Sequence, residues 1–294
     1  MAVKVSKSYR LFTIMNNFLL LLLAITCVLP MLHILALSFS SASAVTAGEV
    51  TFWPVDWTTA AYENVFGKKE YLVAFWVSIK RVAIGVTINM LLTILIAYPL
   101  SKENSQFPGR TIYAWYFVFT MLFSGGLIPW YMIIKDTGLL DTIWALVIPS
   151  AVPIFNVIIL LNFFRGLPKE LEESAKLDGA GYFTVLWRIF VPLSMPALAT
   201  LLLFAVVGHW NSWFDGLILS NRTEHYPLQS FLQTIIIKLD PAYLTPKQAE
   251  LNALMNNRTS RAAQIFVAAF PILIIYPFLQ RFFIKGIVLG SVKE

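Results

Sequence analysis

The chain has 294 residues, of which 58% are hydrophobic and 13% charged, and its mean hydropathy is +0.71. Soluble domains carry about 25% charge, so the composition excludes an ordinary soluble enzyme and describes a polytopic membrane protein. The formal charge of +6 therefore bears on orientation in a bilayer and not on nucleic acid. A lone Cys27, inside the first apolar run, rules out an intrachain disulfide and a cysteine metal cluster, and reads as a small packing residue.

In chain order, the first apolar run, 11–39, follows Lys4, Lys7 and Arg10. It is too long for the core of a signal peptide and lacks a convincing small-residue cleavage site, so a retained helix is expected. Residues 41–70 are polar but carry Phe52, Trp53, Pro54, Trp57 and Tyr62, the composition of an interfacial loop. Further apolar runs at 71–100, 112–134, 143–164, 193–219 and 262–284 each exceed the roughly twenty residues that a bilayer core requires. The expected fold class is an all-α polytopic membrane protein with six transmembrane helices. Gly125, Gly126 and Pro129 in the third run, and Pro271 and Pro277 in the sixth, should bend or loosen their helices, either as hinges or as packing adjustments. Lys80 and Arg81 must snorkel to the surface or face the protein interior. No internal repeat is evident, which argues against a secondary transporter built from duplicated halves.

Six spans put both ends on one side. Segments 1–10, 101–110, 165–190 and 281–294 hold twelve Lys and Arg, against eight in the longer set 41–70, 135–142 and 220–261. Basic residues favour the cytoplasm, so both termini and the 165–190 loop are expected there.

That loop is a polar island between apolar runs. Pro168 suits a helix's first turn, Glu170, Glu172 and Glu173 suit its positive end, and Lys169 with Glu173, and Glu172 with Lys176, are spaced to pair on one face. Gly179 fits a left-handed terminating residue, giving a helix of about eleven residues, roughly 16 Å long. A second run rich in large apolar groups, 182–190, follows Gly181. By its residues alone such a segment is either a knob that docks into a partner or an amphipathic connector lying on the bilayer.

The spacing of Glu173, Ser174, Ala175, Asp178, Gly179, Ile189 and Pro192 resembles the coupling loop of bacterial ABC importer permeases. Ser174 and Val191 depart from the family pattern by small changes. Phe52-Trp-Pro54, Tyr62-Glu-Asn-Val-Phe66, Ala97-Tyr-Pro-Leu-Ser-Lys102 and the tail around Gly286, Gly290 and Lys293 resemble sugar-importer permeases of the maltose type. Phe123-Ser-Gly-Gly126 through Tyr131, with Gly138-Leu-Leu-Asp-Thr142, is similar to a branch importing complex oligosaccharides.

The resemblance implies the type I ABC importer permease fold. Its parts would be an N-terminal helix and first external loop (1–70), a transmembrane core (71–285) with coupling loop 166–192, and a cytoplasmic tail (286–294). It implies a plasma (inner) membrane location and four kinds of partner: a second homologous permease, two ATPase subunits, an extracellular sugar-binding protein and membrane lipid. ATP and Mg would sit on the partner ATPase, because this chain has no glycine-rich phosphate loop, and no cofactor is expected here. Gly286, Gly290 and Lys293 would contact the ATPase.

His209, Asn211, Trp213 and Asp215 crowd the outer half of the fifth run. They read either as a wall of the sugar pathway, with Asn211 pointing inward, or as an interfacial aromatic belt. Three scattered histidines, His33, His209 and His225, make neither a metal set nor a hydrolase constellation. An ion-coupled carrier would favour buried carboxylates, of which Asp215 is the one candidate. An ABC permease for a non-sugar solute stays open. Residues 220–261, with Tyr226, Pro227, Tyr243 and Pro246, could contact a delivery protein or be passive. The sequons at Asn221 and Asn257 read as chance.

Overall fold

Helix formation starts after Ser6, whose hydroxyl accepts from the Tyr9 amide and caps α1 (Lys7–Ser38). The computed structural model describes residues 6–236 and 258–290. At 32 residues, α1 is roughly 48 Å long, more than a hydrocarbon core of about 30 Å requires. Its apolar side chains, Leu11, Phe18, Leu21, Ile25 and Val28 among them, are exposed, as suits a helix surrounded by lipid. The stretch expected to be an interfacial loop instead folds in part. α2 (Ala42–Ala47) is capped by Ser41 and ended by Gly48 at φ 78°, and α3 (Ala60–Phe66) follows. Ala36, Ala44, Val45 and Val50 make a small core there, and Phe39 stacks on Trp57 with ring centroids 5.7 Å apart. The described parts of Met1–Lys69 and Ile235–Phe270 form one compact unit, and those of Glu70–Thr234 and Pro271–Glu294 another.

The spine of the second unit is α4 (Lys69–Ser101), an unbroken helix of 33 residues. Its buried positions, Tyr71, Ala74, Ser78, Arg81, Gly85, Asn89, Thr93 and Ala97, recur every three or four residues and so share one face. That face is small and polar rather than uniformly apolar, the composition that lets membrane helices approach closely.

The next three spans are bent. α5 (Arg110–Leu122) and α6 (Leu127–Asp136) meet at 112°, where sequence reading expects one loosened helix over 112–134. Gly126 at φ 88° cannot continue a right-handed helix, so the chain turns there. α7 (Ile143–Val147), extended by a 3₁₀ turn at Ile148–Ser150, meets α8 (Ile154–Arg165) at 45°, around Pro149 and Pro153. The coupling-loop segment then holds α9 (Lys169–Leu177), α10 (Tyr182–Val185), a π-helical stretch at Leu186–Phe190 and α11 (Val191–Leu193). The helical run Tyr182–Leu193 turns by 83° into α12 (Met195–Asn211). The expected fifth span over 193–219 is therefore interrupted, because α12 stops at Asn211 and α13 (Phe214–Leu219) restarts beyond it.

Residues 220–261 are only partly loop: α14 (Leu228–Ile236) folds within them and α15 (Arg258–Gly290) begins there. Pro227 and Leu228 are fully buried, while Asn221 is exposed. Tyr243, Pro246 and Asn257 lie outside the described residues. α15 runs through Pro271, Pro277, Gly286 and Gly290 without a break, whereas Lys293 lies outside the described residues. Among the described residues, three helices are long and apolar enough to cross a membrane alone, and the three bent pairs raise the number to six.

One side chain ties two surface loops of the second unit together. Asp141, at φ 60°, donates its amide to the Leu219 carbonyl at 2.8 Å. Its Oδ1 accepts from the amides of Asn221 (2.9 Å) and Arg222 (3.2 Å) and lies 2.9 Å from His225 Nδ1. Burial alone would raise this carboxyl's pKa, but the His225 and backbone hydrogen bonds outweigh it and hold the group below its ordinary value. Asp141→Ala should cost roughly 2–4 kcal/mol, from lost charge-assisted hydrogen bonds plus a strained φ, measured by thermal unfolding in detergent. Asp141→Gly should recover only the backbone part. Since the folded pKa is depressed, the carboxylate's contribution should be complete above about pH 5 and lost as pH falls through the folded value. A wild-type unfolding midpoint for Asp141→Ala would show that the loops are held otherwise.

Candidate functional site

Two polar constellations in the second unit are candidates for function. The first is the coupling-loop segment. Pro168 stands just before α9 rather than in its first turn, leaving a helix of nine residues instead of about eleven. Glu170 and Glu172 lie in the first turn, where the helix dipole favours them. At the other end the Gly179 amide donates to Lys176 O at 3.0 Å and the Ala180 amide to Ala175 O at 2.9 Å, a Schellman closure with Gly179 at φ 82°. The terminating role that its spacing predicts is the conformation it adopts.

The helix is fixed to the spine through Glu172. Its carboxylate binds Lys102 at 2.7 Å and Lys176 at 2.8 Å. Lys102, buried just beyond α4, also lies 3.9 Å from the Tyr98 ring centre and 4.2 Å from that of Phe190. Two aromatic faces and a carboxylate thus hold one ammonium. Burial would raise the Glu172 pKa, but the two lysines outweigh it and lower it. At Lys102 burial prevails over the carboxylate and the pKa is lowered. Lys169 pairs with Glu103, across from the expected partner Glu173. The reason is tertiary: the turn after α4 brings Glu103 alongside, which no spacing within the loop reveals.

Ala175 and Ile189 pack against the main core, and Glu173, Ser174, Asp178 and Pro192 are exposed. The outward surface is not purely polar, for Leu177 is 89% exposed, Phe183 71% and Tyr182 59%. Apolar groups displayed on a charged helix and the turn that follows it mark a contact surface.

The second constellation lies along α4. Arg81, 2% exposed, donates to Asp215 through both terminal nitrogens, with Nη1 to Oδ1 at 3.1 Å, and from Nη1 to the Ser212 carbonyl at 3.2 Å. Ser212 Oγ and the Gly216 amide also donate to Asp215 Oδ1. Eight positions on, Asn89 Nδ2 donates to the carbonyls of Ser150 (2.8 Å) and Ala151 (2.9 Å), and its Oδ1 lies 2.8 Å from His209 Nε2. Because the amide nitrogen is committed to two carbonyls, Oδ1 accepts and His209 carries its hydrogen on Nε2. Gly85 makes room for that ring, since a β-carbon there would stand 2.5 Å from His209 Cε1.

Of the residues predicted to line a pathway, the structure joins His209 and Asp215 to this network. It leaves Asn211 and Trp213 exposed on the surface of the chain. Sequence reasoning leaves Arg81 a choice between snorkelling and burial, and it is buried. Sequence reasoning does not single out Asn89, whose signal is a polar residue on the same small-residue stripe as Arg81 and Gly85. Among the described residues no group of His, Cys, Asp and Glu is arranged to hold a metal. The chemistry available is ion pairing, hydrogen bonding and stacking.

Bent apolar spans, a polar seam and a charged helix braced against the main core describe a polytopic membrane protein. The chain belongs to the family described as binding-protein-dependent transport system inner membrane component, whose model matches residues 8–288. It is 40% identical to protein LplC of Bacillus subtilis over 98% of this chain and 97% of that one. It is 38% identical to the polygalacturonan/rhamnogalacturonan transport system permease protein YtcP of the same organism, over 97% and 99% of the two chains. A chain of a bacterial ABC transporter involved in the import of the acidic polysaccharide alginate superposes with a TM-score of 0.84 at 33% identity, covering 96% of this chain and all of that one. The fold is that of an ABC importer permease. Like its relatives, the chain is a transport subunit and not itself an enzyme.

The buried pair gives a sharp test. Arg81→Met or Asp215→Leu alone strands a charge and should each cost roughly 3–5 kcal/mol, while the double variant should recover most of it. The measurement is unfolding of the purified protein in one detergent, and additive losses would place the two side chains out of contact. Gly85→Leu should push the His209 ring off Asn89 and lower the unfolding midpoint in the same assay.

Proposed function

We propose that this chain is the membrane-spanning permease subunit of an ATP-driven importer that carries an oligosaccharide into the cell by alternating access. It pairs with a second, homologous permease, receives cargo from an extracellular sugar-binding protein and couples to two ATPase subunits through loop 166–192. Both termini and that loop face the cytoplasm. The observation that carries the reading is α9 with its flanking turn: a short helix ended by Gly179, displaying Leu177, Tyr182 and Phe183, and braced to α4 by Glu172 and Lys102. A thrust on α9 would reach α4 through that ion pair, and α4 carries the buried seam. Support for the cargo comes from relatives. One is a polygalacturonan/rhamnogalacturonan transport system permease protein, and the 33% identical solved chain belongs to an ABC transporter involved in the import of the acidic polysaccharide alginate. His209, Asn211, Trp213 and Asp215 remain proposed pathway residues, Asn211 and Trp213 as groups that would face the paired permease. Gly286, Gly290 and Lys293 remain proposed ATPase contacts, and 1–70, 71–285 and 286–294 the proposed functional divisions.

The test is a reconstituted complex with its ATPase and loaded binding protein. Gly179→Val forces a β-branched residue into a left-handed conformation at a cost of roughly 1–2 kcal/mol and should redirect the turn that presents Tyr182 and Phe183. Glu172→Gln removes the brace. Both variants should insert normally and lose most of the ATPase stimulation by the loaded binding protein, with Glu172→Gln retaining bound ATPase. Full stimulation in both variants would reduce the loop to a connector. A cysteine at position 176 should be shielded from impermeant thiol reagents in intact cells, while one at exposed position 224, in the same loop segment as buried Ser230, should label; the reverse pattern would invert the protein.

A further inference from the structure

The last turn of α4 carries an unusual convergence. The Leu100 carbonyl accepts from Arg165 Nη2 at 3.1 Å and from Arg110 Nη1 at 3.5 Å. Cations are welcome at a helix C-terminus, but one carbonyl serves here for two guanidinium groups that each carry five N–H donors. Among the described residues, neither arginine has a carboxylate within ion-pair distance, and Arg110 Nε is buried with no partner there. Both line a polar cavity of about 510 Å³. Among the described residues, five cations border it against three carboxylates. Glu172 is taken by Lys102 and Lys176, and Glu103 by Lys169. Glu173, the remaining carboxylate, is exposed on α9. The unmatched positive charge is thus located at the arginine pair.

The surroundings indicate what fills it. Arg110 is the first residue of α5, and immediately beyond it Ile112, Tyr113, Trp115 and Tyr116 are 74%, 55%, 67% and 62% exposed. Exposed Trp and Tyr at the start of an apolar span mark the interface between water and hydrocarbon. The cavity therefore opens at headgroup depth, next to a surface made for acyl chains. We propose that Arg110 and Arg165 bind the phosphate of an anionic phospholipid. The guanidinium forks suit the two free phosphate oxygens, the acyl chains run along Trp115 and Tyr116, and the bound charge lies beside the lysine and glutamate pairs that brace α9. The site rests on charge balance and membrane depth and holds whichever cargo the transporter carries.

The experiment uses the full-length chain purified with its partner subunits in a neutral detergent. Retention of added phosphatidylglycerol and phosphatidylcholine is counted by native mass spectrometry, and inorganic phosphate is tested by equilibrium dialysis. Wild type should prefer phosphatidylglycerol about tenfold, Arg165→Gln should bring the preference close to unity, and Arg165→Lys should keep part of it. Arg165 is exposed, so its substitution leaves folding intact even if Arg110→Gln does not. Lys135→Gln, an exposed charge on α6, should leave the preference unchanged. The proposal is overturned if Arg165→Gln keeps the wild-type preference, if Lys135→Gln lowers it equally, or if inorganic phosphate binds at the arginines while the two lipids are retained alike.

Discussion

A backbone carbonyl or amide inside a bilayer must find its partner within the protein, and α4 is where this chain meets that demand. Interruptions in two neighbouring spans free backbone carbonyls. Arg81 reaches the one at Ser212, between α12 and α13, and Asn89 reaches those at Ser150 and Ala151, between the α7 segment and α8. One unbroken helix with polar side chains on its buried stripe thereby permits two neighbouring spans to break. Without it, those breaks would leave unpaired groups costing several kcal/mol each.

The same helix also acts beyond the hydrocarbon. Arg81 and Asn89 serve its apolar length, while Lys102, one residue past its end, holds the α9 helix through Glu172. Tyr98 and Phe190 contribute twice. They belong to the main apolar core, and their faces also receive the Lys102 ammonium. A displacement of α9 therefore cannot be absorbed by loose loop. It acts on an ion pair set into the core, and core packing resists continuous deformation. This is the physical link between α9 and a membrane helix.

The buried charges themselves are a costly solution. An Arg and Asp removed from water gain stability only when their remaining donors and acceptors are met, and Asp215 is met by Ser212 and the Gly216 amide as well as by Arg81. Close packing supports the arrangement. Gly216 lies against Pro227 and Ser230, and a β-carbon there would stand 2.1 Å from Ser230 Oγ. Gly85 plays the same part under His209. Polar seams of this kind fix one register between helices, because a one-turn slip would leave every member unpaired.

Residue order by itself determined the number of apolar runs, the polar character of the 165–190 island and the left-handed turn at Gly179, since hydrophobic length, charge and glycine's tolerance of positive φ are local properties. The resemblance carried by Glu173, Gly179, Ile189 and Pro192 was legible for the same reason: it depends on fixed spacing along one segment. The bends of 112°, 45° and 83° were only partly legible, as Gly126 and the prolines mark where a helix weakens but not how far it turns. The partners of Arg81, Asn89, Lys102 and Lys169 were invisible. Each lies more than sixty positions away in sequence, and which distant group meets a polar side chain depends on how the helices pack. Tertiary structure alone decided that Asp215 pairs with the buried Arg81, that His209 answers to Asn89, and that the loop helix is anchored to the core.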